Sequence, residues 1–93
     1  MLTHEKIVDA VKKAASIFPL KKAEYFGSYA NGVATGKSDL DILVEFMEPA
    51  ISILTIIELK YYLVKELAIP VDVVHAPIPP SALIEIDRTV KII

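Results

Sequence analysis

The stretch FGSYANGVATGKSDLDILVEF, Phe26 to Phe46, holds a glycine-rich loop and then two carboxylates at the head of a run that otherwise reads as a buried strand. In DLDILVEF, a period of two sends Leu40, Ile42, Val44 and Phe46 to one face and Asp39, Asp41, Leu43 and Glu45 to the other. The two aspartates therefore share a face, about 7 Å apart at Cα. Asp39 taken alone suits ordinary turn chemistry beside Ser38. Asp41 is harder to explain that way, because it stands inside an apolar strand, where Asp has poor propensity. Two like charges at this spacing raise each other's pKa. A fold tolerates them when a cation sits between, and carboxylate oxygens suit Mg²⁺.

The flanking sequence supplies a frame for this strand. Upstream, Thr3 is a helix cap, and Ile7, Val11, Ala14 and Phe18 recur at helical spacing, which predicts a helix over 4–17 followed by Pro19. KAEYFGS predicts a short strand over 22–27, ended by Gly27, and Gly32 and Gly36 punctuate the loop that follows. Downstream, Pro49 and Ser52 open a helix over 51–67 whose apolar stripe is read as Ile53, Ile56, Ile57, Leu63, Val64 and Leu67. VDVVH, 71–75, is a third strand, with Asp72 facing opposite Val71 and Val73. Pro80 suits the start of a last helix whose apolar side is Leu83, Ile86, Val90 and Ile93. The predicted fold class is α/β (α+β), a small mixed β-sheet backed by helices in the order α-β-β-α-β-α.

Ninety-three residues suit one domain, 1–93, and 54% hydrophobic content is enough for a core. A net charge of −2 without any Lys/Arg block argues against a grip on extended nucleic acid. With no cysteine there is neither a disulfide frame nor a thiolate metal site. The N-terminus lacks the apolar region of a signal peptide, and the uncharged stretches 49–57 and 73–84 are too short to span a bilayer. The expected location is the cytoplasm, away from any membrane.

Two further features bear on chemistry. Asp72 is a third acid embedded in an apolar strand; its plain reading is a solvent-facing residue of an edge strand. Were its strand to pair beside the second, three carboxylates would meet on one patch, which suits two-metal phosphoryl chemistry. Gly27-Ser28 follows a strand and opens a short turn, where glycine lets a phosphate approach the backbone and Ser28 offers hydroxyl and amide donors. A Gly-Ser pair alone would be a plain turn.

Together the pattern is Gly-Ser, ten residues, Asp-x-Asp, then an acid in a later apolar strand. It resembles the minimal nucleotidyltransferases of the DNA polymerase beta-like nucleotidyltransferase superfamily, over about residues 20–90. The resemblance implies that Asp39, Asp41 and Asp72 are the catalytic acids and the metal ligands, with Asp72 the general base. It implies nucleotide-binding positions at Gly27, Ser28, Asn31 and Ser38, a pair of Mg²⁺ ions, and ATP or another NTP as the donor of NMP to a hydroxyl. It also implies a HEPN-type toxin as partner, this chain being the antitoxin that adds AMP to a tyrosine of it. One position departs from the pattern: Asn31 stands where small members commonly carry Arg. That departure keeps open an alternative, a catalytically weak module that neutralises its partner by docking. Lys37 is a candidate substitute for the missing cation, with a solvated loop lysine as the plainer reading. The apolar last helix is a surface for a partner or for a homo-oligomer. His4 and His75 lack ligand spacing, Tyr61 and Tyr62 are read as packing residues, and Glu45 as solvated or salt-bridged.

Overall fold

The computed structural model describes residues 2–76 and 88–93. Helix α1, His4–Ala15, begins where Thr3 accepts a hydrogen bond from the Lys6 amide at 3.3 Å, with Glu5 in its first turn and Lys12 and Lys13 in its last. Those charges complement the helix dipole. Its predicted apolar stripe is buried, Ile7, Val11 and Ala14 along the helix and Phe18 just beyond it. Strand β1, Leu20–Phe26, runs antiparallel to β2, Leu40–Phe46, with an irregularity between Leu20 and Lys22. Helix α2, Ile53–Leu67, crosses over and returns the chain to β3, Val71–His75, which lies parallel to β2. The sheet closes with β4, Val90–Lys91, antiparallel to β1, giving the order β3-β2-β1-β4.

Period two in β2 is realised as expected: Leu40, Ile42, Val44 and Phe46 are buried, while Asp41, Leu43 and Glu45 are half-buried. The buried set joins Ala23, Tyr25 and the inner faces of α1 and α2 in one core. Tyr25 buries its ring in that core while its hydroxyl meets Nδ1 of the exposed His4 at 2.8 Å, so the polar tip is satisfied. His75 packs edge-on to Phe46, and Tyr62 edge-on to Phe18, both as packing residues. Glu45 lies 3.8 Å from Lys21 Nζ. Among the described residues, no helix is long and apolar enough to cross a membrane.

Two expectations are corrected. The stripe that α2 buries is Leu59, Leu63 and Leu67, whereas Ile53 and Ile57 are exposed. At about 100° per residue, Ile57 lies roughly 120° round the helix from the centre of that stripe. Apolar residues occur on nearly every side of α2, so the sheet, not the composition, selects the buried side. The second correction concerns the tail. Val90, read as part of a helix, is in β4, paired with Tyr25, and Lys91 is paired with Glu24. The Ile92 and Ile93 amides both donate to Ala23 O, at 2.8 and 3.1 Å. A β-branched run beside the open edge of β1 gains ladder hydrogen bonds that a helix end would forgo. The rest of the predicted last helix, 80–87, lies outside the described residues. Among the described residues of this tail, Val90, Ile92 and Ile93 are partly buried against the chain's own core.

Candidate active site

The site forms where the last residue of β1, the first residues of β2 and the first residues of β3 come level. Phe26 is paired with Asp41, and Asp41 with Asp72. The Leu40 amide donates to Pro70 O at 3.0 Å, which holds β2 and β3 level at this end. Asp41 and Asp72 are thus neighbours across a parallel pair, on the sheet face away from the buried Leu40 and Ile42. Asp72 is exposed, as is Asp39 one residue before β2, while Asp41 is half-buried.

Gly27 leaves β1 with φ +72°, a conformation that L side chains rarely adopt. The Asn31 amide donates to Gly27 O, and the Val33 amide to Ser28 O, both at 3.0 Å. Residues 28–31 therefore make one helical turn, ended by Gly32 at φ +72° in the six-to-one bond of a helix C-terminus. Ala30 is buried and anchors this turn. Glycine at position 27 is demanded twice, because a Cβ there would fall on Asp41 Oδ2. The turn is pressed against the acid, a contact that only the β1–β2 register reveals. The other loop residues are held less closely. Asn31 and Lys37 are exposed. Ser38 is engaged in its own turn, its Oγ accepting from the Thr35 amide at 2.8 Å and its amide donating to Thr35 O at 3.1 Å.

Electrostatics single out Asp41. Burial pushes its carboxyl above the ordinary value of 3.8, and the charges of Asp72 and Asp39 push in the same direction. Like charges this close oppose the ionisation of Asp41, so the site holds more negative charge than it easily accommodates. Hard oxygen donors under this strain fit a divalent cation. Among the described residues, no three Asp, Glu, His or Cys side chains converge as a ready-made cage. A cation here would take its remaining ligands from water and a bound phosphate, as Mg²⁺ commonly does.

A glycine turn pressed against paired acids is thus the most strongly charged feature of this end of the sheet, and comparison with known proteins identifies the family. Residues 4–93 match the family model described as a nucleotidyltransferase domain. The chain belongs to the nucleotidyltransferase family. A Methanocaldococcus jannaschii relative is 43% identical over 63 residues, 68% of this chain and 63% of that protein's length. The protein adenylyltransferase MntA of Thermococcus cleftensis is 41% identical over 78 residues, 80% of this chain and 78% of that protein. A toxin–antitoxin complex solved with AMP-PNP contains a chain that superposes with a TM-score of 0.74 at 25% identity, over 98% of this nucleotidyltransferase and 73% of that chain. The fold is shared, at a TM-score of 0.69 and 20% identity over 97% and 71% of the two chains, with a structure of the tri-AMPylated HEPN toxin of Shewanella oneidensis in complex with MNT antitoxin.

Proposed function

We propose that this nucleotidyltransferase is a protein adenylyltransferase, moving AMP from ATP to a hydroxyl of a HEPN-type toxin and acting as its antitoxin. The observation that carries the reading is the row Gly27–Asp41–Asp72 across three adjacent elements, a phosphate-accessible turn on one side and an exposed acid on the other. The curated relatives and the AMP-PNP complex support AMP as the transferred group.

In this reading the backbone of Gly27-Ser28 receives the β- and γ-phosphates. The acceptor oxygen attacks the α-phosphorus; an O–P bond forms, the bond from that phosphorus to the bridging oxygen breaks, and pyrophosphate leaves. The hydroxyl proton passes to the Asp72 carboxylate. Asp39, Asp41 and Asp72 would hold Mg²⁺, which when bound neutralises charge on the transferring group and the departing pyrophosphate. Asn31 and Ser38 lie beside the nucleotide path, and Asn31 brings no charge to it.

That uncharged Asn31 favours one second reading, a module that silences its partner by docking alone. One experiment separates the two. The purified chain is incubated with Mg²⁺, [α-³²P]ATP and a HEPN protein from the same genome, beside the Asp39→Asn/Asp41→Asn variant. Label on the HEPN protein that the variant fails to add establishes transfer. Absence of label with each of the four NTPs, together with a stable complex, overturns it in favour of docking.

A further inference from the structure

Single exposed apolar side chains are ordinary on a protein surface, but a contiguous row of them marks an interaction site. Of the seven large apolar side chains exposed among the described residues, four belong to α2: Ile53, Leu54, Ile57 and Tyr61. At about 100° per residue, Leu54, Ile57, Tyr61, the half-buried Val64 and the exposed Ala68 at the C-cap fall within about 80° of the helix surface. Their spacing is three, four, three, four, that of the a and d positions of a heptad. The centre of this seam lies about 140° round the helix from the buried row Leu59, Leu63 and Leu67, so it faces away from the sheet.

Charge decides what the seam fits. Glu58 and Lys65, both exposed, stand on one flank of it, and Lys60 on the other. A parallel pair of such helices sets opposite flanks against each other and brings Lys60 of one copy toward Lys65 of the second, like against like. An antiparallel pair related by a two-fold axis sets each flank against itself. With the axis between positions 62 and 63, Glu58 of each copy lies beside Lys65 of the other. Sliding one helix by a heptad in either direction opposes Glu58 to Glu58 or Lys65 to Lys65 instead. The register that charge selects also matches size. Tyr61 meets Val64 and Ile57 meets Ala68, a large side chain against a small one in every layer, with Leu54 at the two ends.

We propose that the outer face of α2 takes a second copy of this chain, forming an antiparallel two-fold dimer with a Glu58–Lys65 ion pair on either side of the axis. The seam from Leu54 to Ala68 is about 21 Å long. That is short beside an obligate interface, so the dimer dissociates on dilution. α2 packs on the face of the sheet that buries Leu40 and Ile42, whereas Asp41 and Asp72 stand on the other. Pairing through α2 is therefore back to back, and it places the Gly27–Asp41–Asp72 rows of the two copies on opposite outer sides. Dimerisation of this kind does not depend on what the acids catalyse.

Sedimentation velocity of the full chain over a dilution series is expected to show a monomer–dimer equilibrium, with NMR amide shifts on dilution at Leu54–Ala68 and none at Gly27–Asn31. Glu58→Lys and Lys65→Glu, each alone, oppose like charges on both sides of the axis and should raise the dimer Kd at least about tenfold, the ratio equivalent to 1.4 kcal/mol. An equimolar mixture of the two variants restores opposite charges at both pairs, and should form a mixed dimer as tight as the wild type. A misfolded variant would not be rescued in this way. A chain monomeric at every concentration, a dimer indifferent to both charge reversals, dilution shifts confined to other surfaces, or a mixture that stays apart overturns the proposal. If the chain stays monomeric while a HEPN protein shifts the amides of Leu54–Ala68, that partner, and not a second copy, occupies the seam.

Discussion

Asp41 and Asp72 are register partners across the parallel β2–β3 pair, and the Asp72 charge adds to burial in holding the Asp41 carboxyl above its ordinary value. Two acids in that relation oppose one another in the free protein and act together once a cation or a proton joins them. Activity and stability therefore pull in opposite directions at Asp41. Replacing Asp41 by Asn should abolish detectable AMP transfer, a loss of at least about 10³-fold in kcat/KM if it removes charge-stabilised binding of the transferring group. The same change removes a half-buried repelling charge and should raise Tm by about 2–5 °C at neutral pH without divalent cation. Calorimetry beside the radiolabel assay checks both signs, and a variant that is both inactive and less stable would contradict the account.

The pH dependence follows from the direction of the Asp41 shift. Its carboxyl binds a proton more tightly in the folded state than at its ordinary value of 3.8. The folded chain thus holds more protons than the unfolded one over the interval above 3.8, and stability contributed by this group falls as pH rises through it. Below 3.8 the contribution is fully present. The difference in Tm between wild type and Asp41→Asn, measured from pH 3 to 8, isolates this group from the other acids. It should widen in favour of the variant as pH rises. Mg²⁺ with ATP should close that gap at pH 7 and have little effect near pH 3.

Two glycines share φ +72° but not their surroundings, which makes them a paired test of the turn. At Gly32 an added Cβ meets nothing within 4 Å, so Gly32→Ala carries only the backbone penalty, about 1–2 kcal/mol. At Gly27 the same methyl would also collide with the Asp41 carboxylate. Gly27→Ala should lose roughly 2–4 kcal/mol of stability and most ATP affinity, because the turn must move off the acid. Urea denaturation and ATP titration of both variants distinguish a local clash from general intolerance of the loop.

The acids' shared face was legible because β2 alternates cleanly; Leu40, Ile42, Val44 and Phe46 leave only one side for Asp41. That Asp72 would stand beside Asp41 was not readable from periodicity, since the pairing depends on how α2 carries the chain across the sheet; the family resemblance supplied it. The contact between Gly27 and Asp41 needed the β1–β2 register, and the bulge near Leu20 hides that register from any count along the chain. The tail TVKII was ambiguous, too short for either period to declare itself, and the open edge of β1 decided it.

Ala68, the left-handed cap of α2, offers a direct measure of backbone strain. Its φ of 57° is one that glycine adopts freely, and the position after a helix is where glycine is favoured. Ala68→Gly should therefore be neutral or stabilising, by up to about 1 kcal/mol, the relief of strain being partly offset by greater freedom of the unfolded chain. A clear loss of stability would mean that the alanine methyl packs more productively than its backbone suffers.

The orientation of α2 is open to an equally plain check. Leu59 is fully buried, so Leu59→Ala should destabilise by about 2–5 kcal/mol through lost burial and an unfilled cavity. Ile57, two residues earlier and equally apolar, is 41% exposed, and Ile57→Ser should change stability by only about 0.5 kcal/mol. The contrast is sharp because composition treats the two positions alike; only the sheet beneath α2 separates them. Denaturation midpoints for the pair measure the rotation of the helix about its axis. A large loss at Ile57 with a small one at Leu59 would mean that α2 is turned by about 160° about its axis.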